Sequence, residues 1–373
     1  MIFPLVAALA FTLATLLPCT LLGVVLGWFG RRPARFFGRV LWAHAALLPV
    51  HCFATFPVAL GLLGSRGLGT RPHEWAYAGP RLGVDGAVLV QTWESLAAET
   101  KAGRPAVAPD VAAAAAARVR SIASRDGVTL RAFRLEAKAE PPVAVAVLVH
   151  GLFRSAMELE PVAAMLRAQG CECWLVELRN FGGSTRAPFG AGLRESDDVV
   201  AAVQHVRAQP GRANADIVVY GVSFGTVAVS MALPRLEGIK GVVLDAPIDD
   251  MLAGAHRLLG FARDKRSWFR VVEPWASLVL RAFEAWSDVE LARIVPSDVL
   301  ATLPFDLPVL VVGAGIDDRV PAETVERLFA RLPMHESKKQ LWIAPGTTHG
   351  RVFVERPEEY AERLRWLLGN LRR

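Results

Sequence analysis

Four short segments carry residues that could do chemistry together. In the first, Tyr220-Gly221-Val222-Ser223-Phe224-Gly225, a serine has glycine two positions before it and two after it. An apolar run precedes this segment, and a helical pattern over 222–236 overlaps and follows it. A serine hydroxyl is a weak nucleophile until a base takes its proton. Held at the tip of a sharp strand-to-helix turn, it is exposed to such a base. Such a turn brings chains so close at Gly221 and Gly225 that side chains there would clash. The new helix also aims unpaired N–H groups at the reaction centre. A bare G-x-S-x-G arises often by chance, so its weight comes from the strand before it and the helix after it.

The second segment is Val149-His150-Gly151-Leu152-Phe153, at the end of an earlier apolar run. A glycine-opened turn there lets a backbone N–H face the serine, so the N–H groups of Leu152 and Phe224 are the expected oxyanion hole. Read alone, His150-Gly151 is an ordinary strand exit. The third segment, Val312 to Pro321, contains adjacent acids at Asp317 and Asp318. An acid at this place can hold a histidine in the right tautomer. Asp317 leaves the strand first and is preferred; Asp318 fits a solvated loop or a helix cap. Asp245, at the end of another strand, is the outside candidate. The fourth segment, Pro345-Gly346-Thr347-Thr348-His349-Gly350, offers His349 in a glycine-flanked loop after the last strand. Serine, acid and histidine thus occur in the order that a strand-built hydrolase requires.

The elements that must position these residues begin near residue 117. Val119–Ala123 and Thr129–Ala137 alternate around Arg125-Asp126-Gly127, a hairpin signal. Val143–Val149 reads as a strand covered on both faces. Further strand-like runs occur at 171–178, 217–220, 239–244, 309–312 and 340–343. Helical patterns fall at 158–169, 196–208, 222–236, 322–332 and 357–371. This alternation predicts an α/β architecture, a mostly parallel sheet with helices on both faces. Residues 247–304 interrupt it with a helical, aromatic-rich insertion. That insertion is expected to have its own small core and to serve as a lid.

With these segments in place, residues 117–373 resemble the α/β-hydrolase superfamily in its lidded esterase, lipase and peptidase-like branch. The stretch Leu175-Val176-Glu177-Leu178-Arg179-Asn180-Phe181-Gly182-Gly183-Ser184 is similar to that family's D-x-R-G-x-G-x-S loop, with Glu177 for Asp and Asn180 for Gly. Asparagine tolerates a left-handed backbone, so the loop can keep its course. The resemblance implies a Ser223, Asp317, His349 triad, with no metal or organic cofactor.

The amino-terminal third reads differently. Hydrophobic residues make up 53% of the 373 residues, and the mean hydropathy is +0.32. Residues 2–29 hold no formal charge, long enough for a span of ~20 residues across ~30 Å of hydrocarbon. A cleaved signal peptide would have a basic start and a shorter apolar run. Arg31, Arg32, Arg35 and Arg39 separate this run from a second one, 41–63. Residues 1–64 are therefore expected to form a transmembrane helical hairpin, and 65–116 a linker packing on the domain. A cytoplasmic arginine loop would put the catalytic domain on the outer, periplasmic or extracytoplasmic, side. His44 and His51, seven residues apart in the second run, fit a polar spot on a helix face better than a metal or heme site. Cys171 and Cys173 form C-x-C, which reads as two small buried hydrophobes on one strand face. The net charge of +6 comes with no zinc-finger spacing or basic–aromatic helix, which argues against nucleic acid and for a membrane surface.

The expected function is a membrane-anchored serine hydrolase acting on a small-molecule or lipid ester. A peptidase with the same triad and a non-catalytic scaffold or binding domain are the alternatives.

Overall fold

The computed structural model describes residues 118–371, except 139, 153, 155 and 261–272, together with residues 56–65 and isolated positions before them. The chain divides into two compact units, one of Met1–Ser65 with Ala255–Asp288, the other of Arg66–Gly254 with Val289–Arg373.

The second unit holds an eight-stranded sheet in the order β1-β2-β4-β3-β5-β6-β7-β8. Its strands are β1 (Val119–Ala123), β2 (Thr129–Leu135), β3 (Val145–Val149), β4 (Glu172–Val176), β5 (Ile217–Val222), β6 (Ile239–Asp245), β7 (Val309–Ile316) and β8 (Lys339–Thr348). β1 pairs antiparallel with β2, and β2 with β4; every later pairing is parallel. The hairpin expected at Asp126-Gly127 is present, with positive φ at both residues, 58° and 72°. That backbone matches the twist of the flanking strands. β3, β4 and β5 are buried along their whole lengths, which explains the apolar sequences of β3 and β5; in β4 the buried Glu172 is held by Arg134 and Arg212.

The helices in chain order are α1 (Phe56–Ser65), α2 (Glu160–Ala168), α3 (Glu195–Arg207), α4 (Phe224–Ala232), α5 (Met251–Gly260), α6 (Trp275–Ser287), α7 (Pro296–Leu300), α8 (Ala322–Ala330), α9 (Val352–Glu355) and α10 (Pro357–Asn370). A continuous core joins Leu148, Tyr220 and Val312 of the sheet to Leu166 of α2 and Tyr360 and Leu364 of α10. Cys171 and Cys173 are free and buried in this core. Burial pushes the Cys171 thiol up to about 11.

Two strands run further than their sequences suggest. β7 continues through Gly313-Ala314-Gly315 to Ile316, and β8 through Pro345-Gly346 to Thr348. Glycine and proline there look like loop residues. In the structure they permit a tight, bulged pairing: a Cβ on Gly315 would sit 2.8 Å from the Ala344 carbonyl oxygen. Glycine at 315 therefore extends the pairing where sequence grammar would end it.

The loop after β4 keeps its course despite its two departures. Asn180 takes φ 71°, and its Oδ1 accepts a hydrogen bond from Ala187 N at 2.9 Å. Glu177 accepts from Arg131 Nε at 2.7 Å and from Gly183 N at 2.8 Å. Arg179, buried beside it, forms a charge-assisted pair with Asp198 of α3 at 2.8 Å.

The insertion expected at 247–304 contains α5, α6 and α7, while 261–272 lie outside the described residues. Its central part, Ala255–Asp288, falls in the unit of the amino-terminal residues and not in that of the sheet. Of the expected transmembrane hairpin, α1 is the described end of the second apolar run; the rest, with most of the 65–116 linker, lies outside the described residues. Among the described residues, no helix is long and apolar enough to cross a membrane.

Candidate active site

β5 turns into α4 through Ser223, which adopts φ 52° and ψ −118°. A non-glycine residue in such a region costs on the order of 1–3 kcal/mol and needs surroundings that fix it. Here Ser223 N donates to the Asp245 carbonyl at 2.8 Å, and the Ser223 carbonyl accepts from Thr226 N at 2.9 Å. The two flanking glycines are steric necessities. A Cβ on Gly221 would lie 2.6 Å from the Gly225 carbonyl oxygen, and one on Gly225 would lie 2.5 Å from that of Val149.

Sheet register delivers the other two groups. Ile316 of β7 pairs with Thr348 of β8, so Asp317 and His349, the next residue on each strand, leave the sheet side by side. His349 Nδ1 lies 2.7 Å from Asp317 Oδ2, and its Nε2 lies 2.9 Å from Ser223 Oγ. A carboxylate only accepts, so Nδ1 carries the proton and Nε2 turns its lone pair to the hydroxyl. The Asp317 side chain is buried, and its Oδ1 accepts from Arg319 N and Val320 N, both at 2.9 Å. The loop thus closes on one carboxylate oxygen and leaves the other for the imidazole. Asp318 is exposed.

Asp245, the outside candidate, lies behind the site. Its Oδ2 accepts from Tyr360 at 2.8 Å and from Tyr220 at 3.2 Å, and the two hydroxyls are 2.9 Å apart. Burial pushes its carboxyl up to about 7, against the pull of the two tyrosine hydroxyls. The backbone of Asp245 holds the serine, while its side chain ties β5 and β6 to α10.

The oxyanion expectation rests on two amides. Phe224 is the first residue of α4, where N–H groups have no partner within the helix. Its ring stacks on Phe189 at 5.4 Å. Leu152 follows Gly151, whose Cβ, if present, would come within 3.5 Å of the Ser223 Cβ. His150, read in the sequence as part of a strand exit, has a role that sequence reasoning missed. Its Nε2 accepts from Leu178 N at 3.3 Å, so its proton is on Nδ1, 2.8 Å from the Gly151 carbonyl. Burial pushes its pKa down to about 4, which keeps the ring neutral. In a trans peptide the Leu152 N–H points opposite to that carbonyl. Holding the Gly151 oxygen therefore sets the direction of the Leu152 donor. Glu158 also touches this loop, with Oε2 3.4 Å from Gly151 N and Oε1 3.4 Å from Arg154 Nε. No sequence signal marked Tyr360, because its partners Asp245 and Tyr220 are more than a hundred residues away. Glu158, whose partners Gly151 and Arg154 are near in sequence, read only as the start of a helix.

Among the described residues, no group of three His, Cys, Asp or Glu is placed to hold a metal ion. His44 and His51 lie outside them. What the arrangement can do is remove a proton from one serine hydroxyl.

Asp317→Asn should lower turnover by about 10^4-fold, because the imidazole loses the acceptor that sets its tautomer. Asp318→Asn should stay within a few-fold of wild type, and steady-state kinetics on both variants reads the difference. Asp245 makes a separate, thermodynamic prediction. Its carboxyl ionises near 3.8 when unfolded and at about 7 when folded. The stability of the protonated form is therefore fully present below about pH 4 and is lost as pH rises through about 7. Asp245→Asn should raise the melting temperature at pH 8 more than at pH 5; an equal change at both would contradict this placement of the charge.

Comparison with known proteins agrees with the topology. The sequence pattern described as "Alpha/beta hydrolase family" matches residues 146–363. An uncharacterized protein of Mycobacterium tuberculosis is 28% identical over 203 residues, covering 52% of this chain and 61% of that protein. The match thus spans about three fifths of that relative's length. An esterase of Pyrococcus furiosus has a similar structure, with TM-score 0.55 and 19% identity over 67% of this chain and 91% of its own. Est1E from Butyrivibrio proteoclasticus, with ferulic acid bound, gives TM-score 0.52 and 19% identity over 68% and 99%. The α/β hydrolase GrgF from a Penicillium species gives 0.50 and 19% over 68% and 99%. The eight-stranded order, the strand-to-helix turn at Ser223 and a match over more than half the sequence agree: this chain belongs to the α/β hydrolase family.

Proposed function

We propose that the protein is a membrane-anchored serine hydrolase that cleaves carboxylic esters. The observation that carries this reading is the bridge made by His349, 2.9 Å from the Ser223 hydroxyl and 2.7 Å from Asp317. In this mechanism His349 Nε2 takes the Ser223 proton as Oγ attacks the ester carbonyl carbon. Asp317 stabilises the imidazolium that results. The carbonyl oxygen becomes an oxyanion and accepts from the amides of Leu152 and Phe224; losing one such donor costs ~2.7–4 kcal/mol in well-studied cases. As the tetrahedral intermediate collapses, the C–O bond to the alcohol breaks and His349 returns the proton to the leaving oxygen. Water, deprotonated by the same histidine, then attacks the acyl-enzyme. The acid leaves and the serine is restored.

The anchor of this reading is the pair of charge-free runs at 2–29 and 41–63. An arginine-bearing loop between them, held in the cytoplasm, would place the catalytic residues on the outer side of the membrane. The insertion 247–304 is the lid of this reading, and a small-molecule or lipid ester is its substrate. Two of the solved structures that share the fold are named as esterases or hold an aromatic acid, which supports testing esters first.

Purified protein should hydrolyse p-nitrophenyl esters of short and long acids with a burst of p-nitrophenol equal to the enzyme present. Matched p-nitroanilides should turn over far more slowly. Faster cleavage of anilides or peptide amides would make the protein a peptidase. No cleavage of either class would favour a binding domain.

A further inference from the structure

The insertion and the amino-terminal run read as separate pieces in the sequence, yet they meet in one compact unit. α1 packs directly on α6. The approach is close enough to need glycine: a Cβ on Gly61 would lie 2.6 Å from Phe283 N and 2.7 Å from both the Val279 carbonyl oxygen and the Ala282 Cβ. Ala276 and Val279 of α6 form a buried patch with Leu60 of α1, Leu259 of α5 and Trp275 packed on it. Helix backbones that meet at small residues are the kind of contact favoured where lipid surrounds both helices and the hydrophobic effect between them is weak.

The outer surface of the same unit carries several exposed apolar side chains, beside the exposed Arg281 and Asp288. Val58 and Ala59 of α1 are exposed beside the buried Gly61. Leu258 of α5 and Trp286 of α6 are 42% and 49% exposed, and Trp42 and Val50 further along the amino-terminal run are exposed as well. α1 is also the end of a run, 41–63, with no formal charge, and four arginines precede that run. A charge-free run continuous with this surface, arginines beside it and a tryptophan on α6 match an anionic bilayer in both hydrophobicity and charge.

We propose that α6 and the end of α5 dock on the lipid bilayer together with the amino-terminal run, as one unit held by the Gly61 contact. The insertion is then a membrane-bound part of the hydrolase, which favours esters presented by the bilayer. This rests on the membrane reading above, and the test separates the two.

The full chain is mixed with vesicles of phosphatidylcholine and phosphatidylglycerol, some carrying nitroxide-labelled lipid, and floated on a density gradient. A fluorescent non-standard amino acid replaces Trp286 or, as a control in the sheet-bearing unit, the exposed Phe305. The protein should float, with fluorescence at 286 quenched several-fold more than at 305. Gly61→Val should raise amide exchange over 275–287 and reduce quenching at 286, whereas Ala59→Val should do neither. Flotation with equal or absent quenching at 286 and 305 would overturn the docking and leave the anchor standing. Unchanged exchange in Gly61→Val would overturn the pairing. Protein that does not float would overturn the membrane reading, and the docking with it.

Discussion

The close approach of backbones around Ser223 is the constraint on which the rest of the catalytic unit depends. Gly221, Gly225 and the carbonyl of Val149 lie so near one another that no side chain fits between them. That crowding lets β5 turn directly into α4 and holds Ser223 at φ 52°. Relaxing the turn would cost the contacts of two parallel strands and a helix. The strained serine is therefore maintained by the sheet around it, and its amide is tied to β6 through Asp245. The same turn makes Phe224 the first residue of a helix, where an amide has no partner within the helix.

The remaining groups are placed by pairing and not by local loop preference. Asp317 and His349 come together because Ile316 and Thr348 share a register position at the ends of β7 and β8. His150 acts one step further out. Its neutral ring holds a single carbonyl and thereby sets the direction of the next amide. Behind the serine, Asp245, Tyr220 and Tyr360 link β5 and β6 to the final helix. That buried carboxyl makes part of the fold's stability depend on pH, separately from the chemistry at His349.

Much of this was legible in the sequence, and the reasons differ by element. β3 and β5 announce themselves because both faces are buried and the apolar run is unbroken. The Asp126-Gly127 reversal is legible because two positive φ values in succession suit very few residue pairs. Ser223 could be read from its glycines, since their spacing is a steric requirement. The ends of β7 and β8 were not legible: Gly315 and Pro345 carry a loop signature, and only the partner strand shows why glycine is needed. Tyr360 was invisible because its partners Asp245 and Tyr220 are distant in sequence. The union of the insertion with the amino-terminal run was missed for the same reason. Gly61 looks like any glycine in an apolar helix until Phe283 is placed against it.

The central claim is that His349 makes Ser223, alone among the serines, nucleophilic. Its most direct measurement is the site and rate of reaction with a fluorophosphonate, followed by digestion and mass spectrometry of the adduct. The account predicts a single adduct on the peptide containing Ser223, forming about 10^2- to 10^4-fold more slowly in His349→Ala. Folded wild-type protein that carries no adduct, or carries it on another serine, would contradict it.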